Sequence, residues 1–194
     1  MNMTRLKVLL VIILVLFLPG CSPASERGND NCFTEFAFTH YTSGGTAETY
    51  KAVIIFEQSI STFTAYQVAF VSCTCRDALV NYYHVCYVEL LNTKPSADRA
   101  AIRSINFGNN MGVWGDSNPN YYIPEYTQEY MDEHFVQRLV GVTKGEFDAW
   151  AGYGTWLDCI DIDTISGATV SSSNITSMLR SLFQYHADKY YPEE

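Results

Sequence analysis

The chain reads FTAYQVAFVSCTC over residues 63–75 and NYYHVCYVELL over residues 81–91. Both segments are rich in aromatic and β-branched side chains, a composition that predicts β-strands. Residues 76–80 between them are too few for a crossover helix, so we expect the two strands to pair antiparallel. Upstream, Phe36–His40 and Tyr50–Phe56 have the same character and predict further strands of this sheet.

Polar segments separate these strands from one another and from the rest of the chain. The residues Thr42–Thr46 have the composition of a turn. Residues 106–122 are rich in Asn and Gly, which predicts a long irregular loop, and many loops of this length are functional. Residues 157–162, LDCIDI, again have a strand-like pattern.

The last third of the chain has helical patterns. Residues 125–140 predict a helix whose apolar face consists of Tyr126, Tyr130, Phe135, Val136, Leu139 and Val140. Thr143 and Glu146 fit a capping box at the start of a short helix that ends near Trp150. A final amphipathic helix is predicted by the spacing of Ile175, Met178, Leu179, Leu182, Phe183 and His186. The expected fold class is therefore α+β, an antiparallel sheet with helices packed on it.

Composition and charge limit the possible functions. The 194 residues are 47% hydrophobic and 17% charged, which is enough apolar material for a folded core. With 12 Lys+Arg against 21 Asp+Glu, the formal net charge is −9, so nucleic acid is not an expected partner.

The N-terminal residues predict export. Arg5 and Lys7 precede an apolar run, Val8–Leu18, which is too short for a permanent membrane span and typical of a signal peptide. The following Leu18-Pro19-Gly20-Cys21 resembles the lipobox of bacterial lipoproteins, although Pro is unusual in it. The resemblance implies cleavage before Cys21 and lipid on that residue. Cleavage after Ala24 is the alternative.

We therefore expect three parts: a signal peptide over residues 1–20, the lipidated Cys21 with a flexible tether over 21–31, and one domain over 32–194. Removal of residues 1–20 takes away Arg5 and Lys7 and no acid, which changes the net charge from −9 to −11. Such a chain is repelled by anionic lipid, so the Cys21 lipid is the expected contact with the bilayer. The expected location is extracytoplasmic, at the cell surface or in the periplasm.

One segment, Asp163-Thr164-Ile165-Ser166-Gly167-Ala168-Thr169, lies just before the final helix. A helix N-terminus presents free backbone N–H groups and a positive dipole end, which favour a phosphate group. Gly167 permits close approach of the backbone, and the hydroxyls of Ser166 and Thr169 can donate hydrogen bonds. Ser171–Ser173 add further hydroxyls. Helix capping without a ligand is the alternative for these residues.

The pattern Asp-x-x-Ser-Gly-Ala-Thr at residues 163–169 resembles the acceptor motif of bacterial covalent FMN-binding domains. These domains occur in the FMN subunits of the sodium-pumping NADH:quinone reductase and of the Rnf complex, and in extracytoplasmic flavoproteins. The resemblance is specific over residues 135–190 and weaker over residues 50–134. It implies an FMN-binding-domain-like fold. It also implies that a flavin transferase, using FAD, attaches FMN to Thr169 through a phosphoester, with Asp163, Ser166, Gly167 and Ala168 as the recognition residues.

The resemblance implies electron transfer through this FMN, from a membrane donor to an acceptor outside the cytoplasm. A Gly-x-Gly-x-x-Gly nicotinamide fingerprint is missing from the sequence, which favours a carrier over a self-contained enzyme. Two alternatives remain open. One is a lipoprotein without redox chemistry that binds a ligand or partner, and the other is a reductase of a small exported substrate with the loop 106–122 over the flavin.

Aromatic residues just before the motif are candidates for contact with the flavin ring. Tyr153 and Trp156 follow Trp150 in the sequence AWAGYGTW, and aromatic faces stack on flat heterocycles. Ordinary core packing is the alternative for each of them. Trp114, in the predicted loop, is a weaker candidate.

The cysteines and histidines predict little catalytic chemistry. If Cys21 carries lipid, the remaining cysteines are Cys32, Cys73, Cys75, Cys86 and Cys159. Cys73 and Cys75 project to one face of a strand and form either a redox pair, a structural disulfide bond or buried thiols. Arg76 is expected to contact either the FMN phosphate or an acid. The sequence contains neither the Cys-x2-Cys spacing of a metal site nor a nucleophilic Ser with a His partner. We interpret His84 and His186 as core residues with hydrogen-bond partners.

Overall fold

The computed structural model describes residues 33–74, 82–93, 95–108, 128–159 and 169–192. The chain divides into two units, Met1–Cys32 and Phe33–Glu194, and the description concerns the second. The predicted signal peptide, Cys21 and the tether therefore lie outside the described residues. No helix in the described part of the chain is long and apolar enough to cross a membrane.

The described strands form one five-stranded antiparallel sheet with the order β1-β2-β3-β4-β5. The strands are β1 (Thr34–Tyr41), β2 (Ala47–Ser59), β3 (Phe63–Cys73), β4 (Tyr82–Leu91) and β5 (Ile102–Phe107). Each strand pairs with the next one along the chain. The predicted antiparallel sheet is confirmed, and its first four strands lie where the sequence predicts them.

The helical segments follow the sheet in the chain. They are α1 (Gln128–Met131), with a π-helical turn (Asp132–Val136) and a 3₁₀ turn (Gln137–Leu139) directly after it, α2 (Lys144–Ala149) and α3 (Thr169–Tyr190). A further 3₁₀ turn, Ala97–Arg99, precedes β5. Sheet and helices together make the fold α+β.

A β-bulge in β2 changes which of its alternate side chains face α3. The pairing with β3 shifts between Ile54 and Phe56. Before the bulge, Ile54 is buried against the helix side of the sheet, whereas Ile55 and Phe56 are exposed. After it, Glu57 faces α3, because its carboxylate accepts a hydrogen bond from the Tyr185 hydroxyl at 2.9 Å. The inserted residue thus exchanges the two faces of the strand.

The core lies between the sheet and α3, which packs mainly on β1 and β3. Side chains from the inner face of the sheet meet the apolar face of the helix there. The sheet contributes Phe38, Tyr66, Val68, Phe70, Cys86, Val88 and Leu90, and α3 contributes Ile175, Met178, Leu179, Leu182 and Phe183. The amphipathic helix predicted from their spacing is confirmed.

The helix predicted over residues 125–140 differs in detail. Phe135, Val136 and Leu139 are buried as predicted, but Val140 is exposed. The helical segment ends at Leu139, and Gly141 with φ +90° turns the chain toward β5, where its N–H donates to the Ile102 carbonyl at 2.7 Å. Val140 therefore lies beyond the helix, so its place in the apolar pattern does not bury it.

Two predicted boundaries are wrong. The loop predicted from residue 106 begins later, because Asn106 and Phe107 belong to β5 and pair with β4. In the segment predicted as strand-like, the described residues 157–159 form no strand. The capping box is confirmed: the Thr143 hydroxyl accepts from the Glu146 N–H, and the Glu146 carboxylate accepts from the Thr143 N–H at 2.7 Å.

Candidate functional site

Thr169 is the first residue of α3 and is partly exposed. The backbone N–H groups of the first helical turn have no carbonyl partner within the helix, and the helix dipole adds a partial positive charge there. A phosphoester on the Thr169 side chain would place its negative charge beside this end of the helix. The predicted recognition residues Asp163, Ser166, Gly167 and Ala168 lie outside the described residues.

The serines after Thr169 face the protein. Ser171, Ser172 and Ser173 are buried, with exposed fractions of 8%, 1% and 4%. The Ser172 hydroxyl donates to the Thr169 carbonyl at 3.3 Å, and the Ser173 hydroxyl accepts from the Gly154 N–H at 3.3 Å. Thr169 is therefore more accessible than these serines, and Ser173 fixes the helix start against the segment that contains Gly154.

Asn174 ties the first turns of α3 to the sheet. Its carbonyl oxygen accepts from the Tyr41 N–H at 2.6 Å, and its amide donates to the Tyr41 carbonyl at 3.0 Å. The same amide donates to the Ser72 carbonyl at 2.8 Å. Asn174 is fully buried. These bonds position the N-terminal part of α3 relative to β1 and β3, and sequence reasoning did not identify this residue.

Tyr153 lies against the β1–β2 hairpin. Its hydroxyl donates to the Ser43 carbonyl at 3.2 Å, and its ring centroid is 5.5 Å from that of Tyr41. A Cβ on Gly45, where φ is +77°, would lie 2.9 Å from Cδ1 of Tyr153, so the glycine makes room for this ring. Tyr153 is half-buried. The next residue, Gly154, reaches Ser173 in the first turn of α3.

The two tryptophans of this segment differ in their environment. Trp150 is a core residue, because it is only 5% exposed and its indole N–H donates to the Thr155 carbonyl at 3.1 Å. Trp156 is half-buried, with its ring 6.4 Å from that of Phe135. Trp156 and Tyr153, which are close in sequence to Gly154, are thus partly accessible, whereas Trp150 is part of the core. Trp114 lies outside the described residues.

The sequence did not predict the buried position of His40. It lies on the inner face of β1, fully buried, and neither ring nitrogen has a hydrogen-bond partner among the described residues. Its ring is 4.3 Å from that of Tyr50 in an edge-on arrangement. Burial lowers the pKa of His40, against the raising effect of the nearby Glu48 carboxylate. The alternation of β1 was the signal that places His40 in the interior.

The other buried histidines have the partners that the sequence predicts for core residues. Nδ1 of His84 lies 2.6 Å from the Ser72 hydroxyl, and Nδ1 of His186 lies 2.8 Å from the Tyr66 hydroxyl. Burial lowers the pKa of His84 to about 4, which keeps its ring neutral at physiological pH.

Two of the cysteines that the structure describes, Cys86 and Cys159, lie in environments that disfavour a thiolate. Cys86 is a fully buried free thiol whose pKa is raised by burial. Desolvation and the neighbouring Glu146 carboxylate raise the pKa of Cys159, although this thiol is on the surface. Cys73 is buried on β3, whereas Cys75 and Arg76 lie outside the described residues, so the Cys73–Cys75 pair remains a prediction.

A polar cluster at the opposite end of α3 also escaped sequence reasoning. The Glu57 carboxylate accepts from the Lys189 ammonium at 2.8 Å and from the Tyr190 hydroxyl at 2.5 Å, in addition to Tyr185. Burial raises the pKa of Glu57, but these hydrogen bonds together lower it by more than burial raises it. The net shift of the pKa is therefore downward. The β2 bulge is the feature that turns Glu57 toward the helix, and a period-2 pattern does not reveal it.

Comparison with known proteins gave no match: no family model, no curated protein and no solved structure matches the chain significantly. Within the described ranges, no group of three His, Cys, Asp or Glu residues could hold a metal ion.

Proposed function

We propose that the chain is an exported, lipid-anchored flavoprotein that carries FMN covalently on Thr169 and transfers electrons outside the cytoplasm. The observation that carries this proposal is the position of Thr169. The acceptor residue of the motif is the first residue of a 22-residue helix and is partly exposed. We also propose that the antiparallel sheet with its C-terminal helix is an FMN-binding-domain-like fold.

The residues present fit a phosphoester at this position. A transferase needs an accessible hydroxyl, and Thr169 is more exposed than the three serines that follow it. The product carries a negative charge, which the N-terminus of a long helix stabilises by typically about 0.3–1 kcal/mol. When bound, FMN would supply the electron chemistry of the site.

The residues around Thr169 position the group and limit its motion. Asn174 and Ser173 hold the start of α3 against β1 and against Gly154. Tyr153 and Trp156 are the residues we propose for contact with the flavin ring, because both are half-buried and flank Gly154. Stacking of this kind contributes about 0.5–1.5 kcal/mol beyond burial.

The proposed partners follow from the covalent cofactor and from export. They are a flavin transferase that uses FAD, a membrane electron donor, an acceptor outside the cytoplasm, and the lipid bilayer through lipid on Cys21. A net charge of −9 disfavours nucleic acid as a partner.

One observation favours a second candidate, a lipoprotein without a cofactor. The Ser173 hydroxyl accepts from the Gly154 N–H, and Ser171, Ser172 and Ser173 are buried, as they would be if the segment only held the helix start in place. The two candidates differ in visible absorbance after coexpression with a flavin transferase, because only the flavoprotein would be yellow.

The proposal predicts that Thr169→Ala abolishes covalent flavin. The full chain is coexpressed with a flavin transferase, and flavin fluorescence is read from the protein band on a denaturing gel. Thr176→Ala is the matched control, since Thr176 lies in the same helix and its buried hydroxyl donates to the Ser172 carbonyl. We expect fluorescence in the wild type and in the Thr176 variant only. Fluorescence that survives in Thr169→Ala would disprove the assignment, and a colourless wild type would support the second candidate.

A further inference from the structure

Large apolar side chains are exposed at one corner of the sheet. Among the described residues, Phe33, Ile55, Phe56 and Ile60 have exposed fractions of 50%, 43%, 44% and 45%. We call these four residues the apolar corner. Val140, with 43%, is the other large apolar residue of comparable exposure in the described part, and it lies at the end of the helical segment after α1.

The strand register places Phe33 and Ile55 on the same face. Thr34 pairs with Ile54 at the end of the β1–β2 ladder, and this register continued by one residue sets Phe33, which directly precedes β1, opposite Ile55. Directly opposed residues of an antiparallel pair project from the same face of the sheet. Because Ile54 is buried on the helix side, this is the outer face, which points away from α3.

The bulge brings Phe56 to the outer face as well. Phe56 pairs with the exposed Gln67 of β3, whereas Glu57 faces α3. Alternation after the bulge carries Ile60 to the same side as Phe56 at the β2–β3 turn. The exposed apolar side chains therefore share one face, at the end of the sheet where the chain enters β1.

The charges that the described residues of β1 and β2 place on this face are compensated. The Lys51 ammonium and the Glu35 carboxylate, on neighbouring strands, form an ion pair at 2.6 Å. Glu57, the acid nearest the bulge in sequence, faces the other side and binds Lys189. Neither Glu35 nor Glu57 therefore places an unpaired negative charge at the apolar corner.

We propose that the apolar corner inserts into the headgroup–acyl boundary of the bilayer that holds the Cys21 lipid. This rests on the proposed lipid anchor. Phe33 follows Cys21 by only 12 residues, which span at most about 42 Å when fully extended. A tether of this length keeps the corner close to the bilayer, so that docking is effectively intramolecular and needs little intrinsic affinity.

The bilayer is the partner whose chemistry fits these residues. Aromatic and aliphatic side chains without nearby unpaired charge partition into the interface of neutral phospholipid, and the acidic chain gains nothing from anionic lipid. Docking through the outer face leaves α3 on the opposite side of the sheet, which directs Thr169 away from the membrane. The bound orientation would thus present the proposed flavin site to partners outside the cytoplasm.

Photolabelling from the bilayer tests this proposal. The lipidated full chain is reconstituted in phosphatidylcholine vesicles that contain a phosphatidylcholine with a diazirine on its acyl chain, and adducts are located by mass spectrometry after irradiation. We expect adducts on peptides that contain Phe33 and residues 55–60. The double variant Ile55→Thr/Phe56→Thr places β-branched residues, which favour strands, at both positions and should lower labelling of the corner at least about tenfold.

Val140→Thr is the matched control, because Val140 is equally exposed but lies outside the corner. This variant should leave labelling of the corner unchanged. Adducts confined to residues 21–32, or equal labelling at Val140, would overturn the docking. The intact mass separates the two claims: a chain without lipid on Cys21 overturns anchor and docking together, whereas a lipidated chain with an unlabelled corner overturns docking alone.

Discussion

The carboxamide of Asn174 contacts backbone groups of two strands, although the residue itself belongs to a helix. The side-chain amide of Asn has a carbonyl oxygen that accepts and an NH₂ group that donates twice. In Asn174, which is fully buried, the oxygen and both N–H groups form hydrogen bonds. Loss of such a group leaves buried N–H and C=O groups without partners, which costs more than an ordinary hydrogen bond contributes.

Asn174→Ala should therefore lower the free energy of unfolding by about 3 kcal/mol, as measured by urea denaturation. Gln184→Ala on the same helix is the control: Gln184 is exposed and bonds only Asp188 among the described contacts, so its loss should change stability by less than about 0.5 kcal/mol. Equal effects of the two substitutions would contradict the role assigned to Asn174.

His84 predicts a pH dependence of stability. Its pKa is lowered by burial from 6.5 to about 4, so the unfolded chain binds a proton at a higher pH than the folded chain does. The free energy of unfolding therefore has its full value above pH 6.5 and falls by about 3 kcal/mol as the pH decreases to about 4.

Urea denaturation at several pH values between 4 and 7 measures this slope. His84→Gln should flatten the curve while leaving the smaller contribution of His40, whose pKa is also lowered by burial. A variant with the same slope as the wild type would show that His84 does not carry the effect.

Some individual residues could be predicted from the sequence and others could not. The interior positions of His84 and His186 followed from alternation and helical spacing, which are local properties. The burial of His40 depends on how α3 lies against β1, and so does the contact of Asn174 with Tyr41. Only tertiary packing fixes that relation, so no local pattern reveals these residues.

Among the elements, α3 has the largest share of the core, and polar contacts hold it to the sheet at two places. Asn174 fixes its beginning, and Glu57 binds Tyr185, Lys189 and Tyr190 near its end. The Glu57 contacts depend on the β2 bulge, because without the inserted residue the carboxylate would face outward.

Glu57→Gln should destabilise the protein by about 2 kcal/mol, because the substitution removes the charge that strengthens these hydrogen bonds. Hydrogen–deuterium exchange should show the loss locally, as faster exchange in residues 182–190. Glu48→Gln, an exposed substitution of the same type on β2, is the control and should leave exchange in α3 unchanged. Uniform acceleration throughout the chain would contradict a local fastening role for Glu57.

The elements that the sequence predicted well are those with strong local patterns. The strands β1–β4, the capping box of α2 and the apolar face of α3 are of this kind. β5 was missed because IRSINF is short and only weakly alternating, and its strand form depends on pairing with β4. The π-helical turn at Asp132–Val136 was equally unpredictable, since a 3.6-residue period assumes a regular α-helix.

At the scale of the whole molecule, one face of the sheet and the opposite helix have separate proposed roles. The apolar corner on the outer face is proposed to contact the bilayer, and Thr169 at the start of α3 is proposed to carry FMN. Sequence motifs suggested the anchor and the acceptor, but only the strand register places Phe33, Ile55 and Phe56 on one surface.

The most direct test is the mass of the full chain purified after coexpression with a flavin transferase, followed by peptide mapping. The account predicts one FMN per chain, joined as a phosphoester to the peptide that contains Thr169 and absent from Thr169→Ala. A chain that carries no FMN under these conditions, or that carries it on a peptide without Thr169, would contradict the central claim.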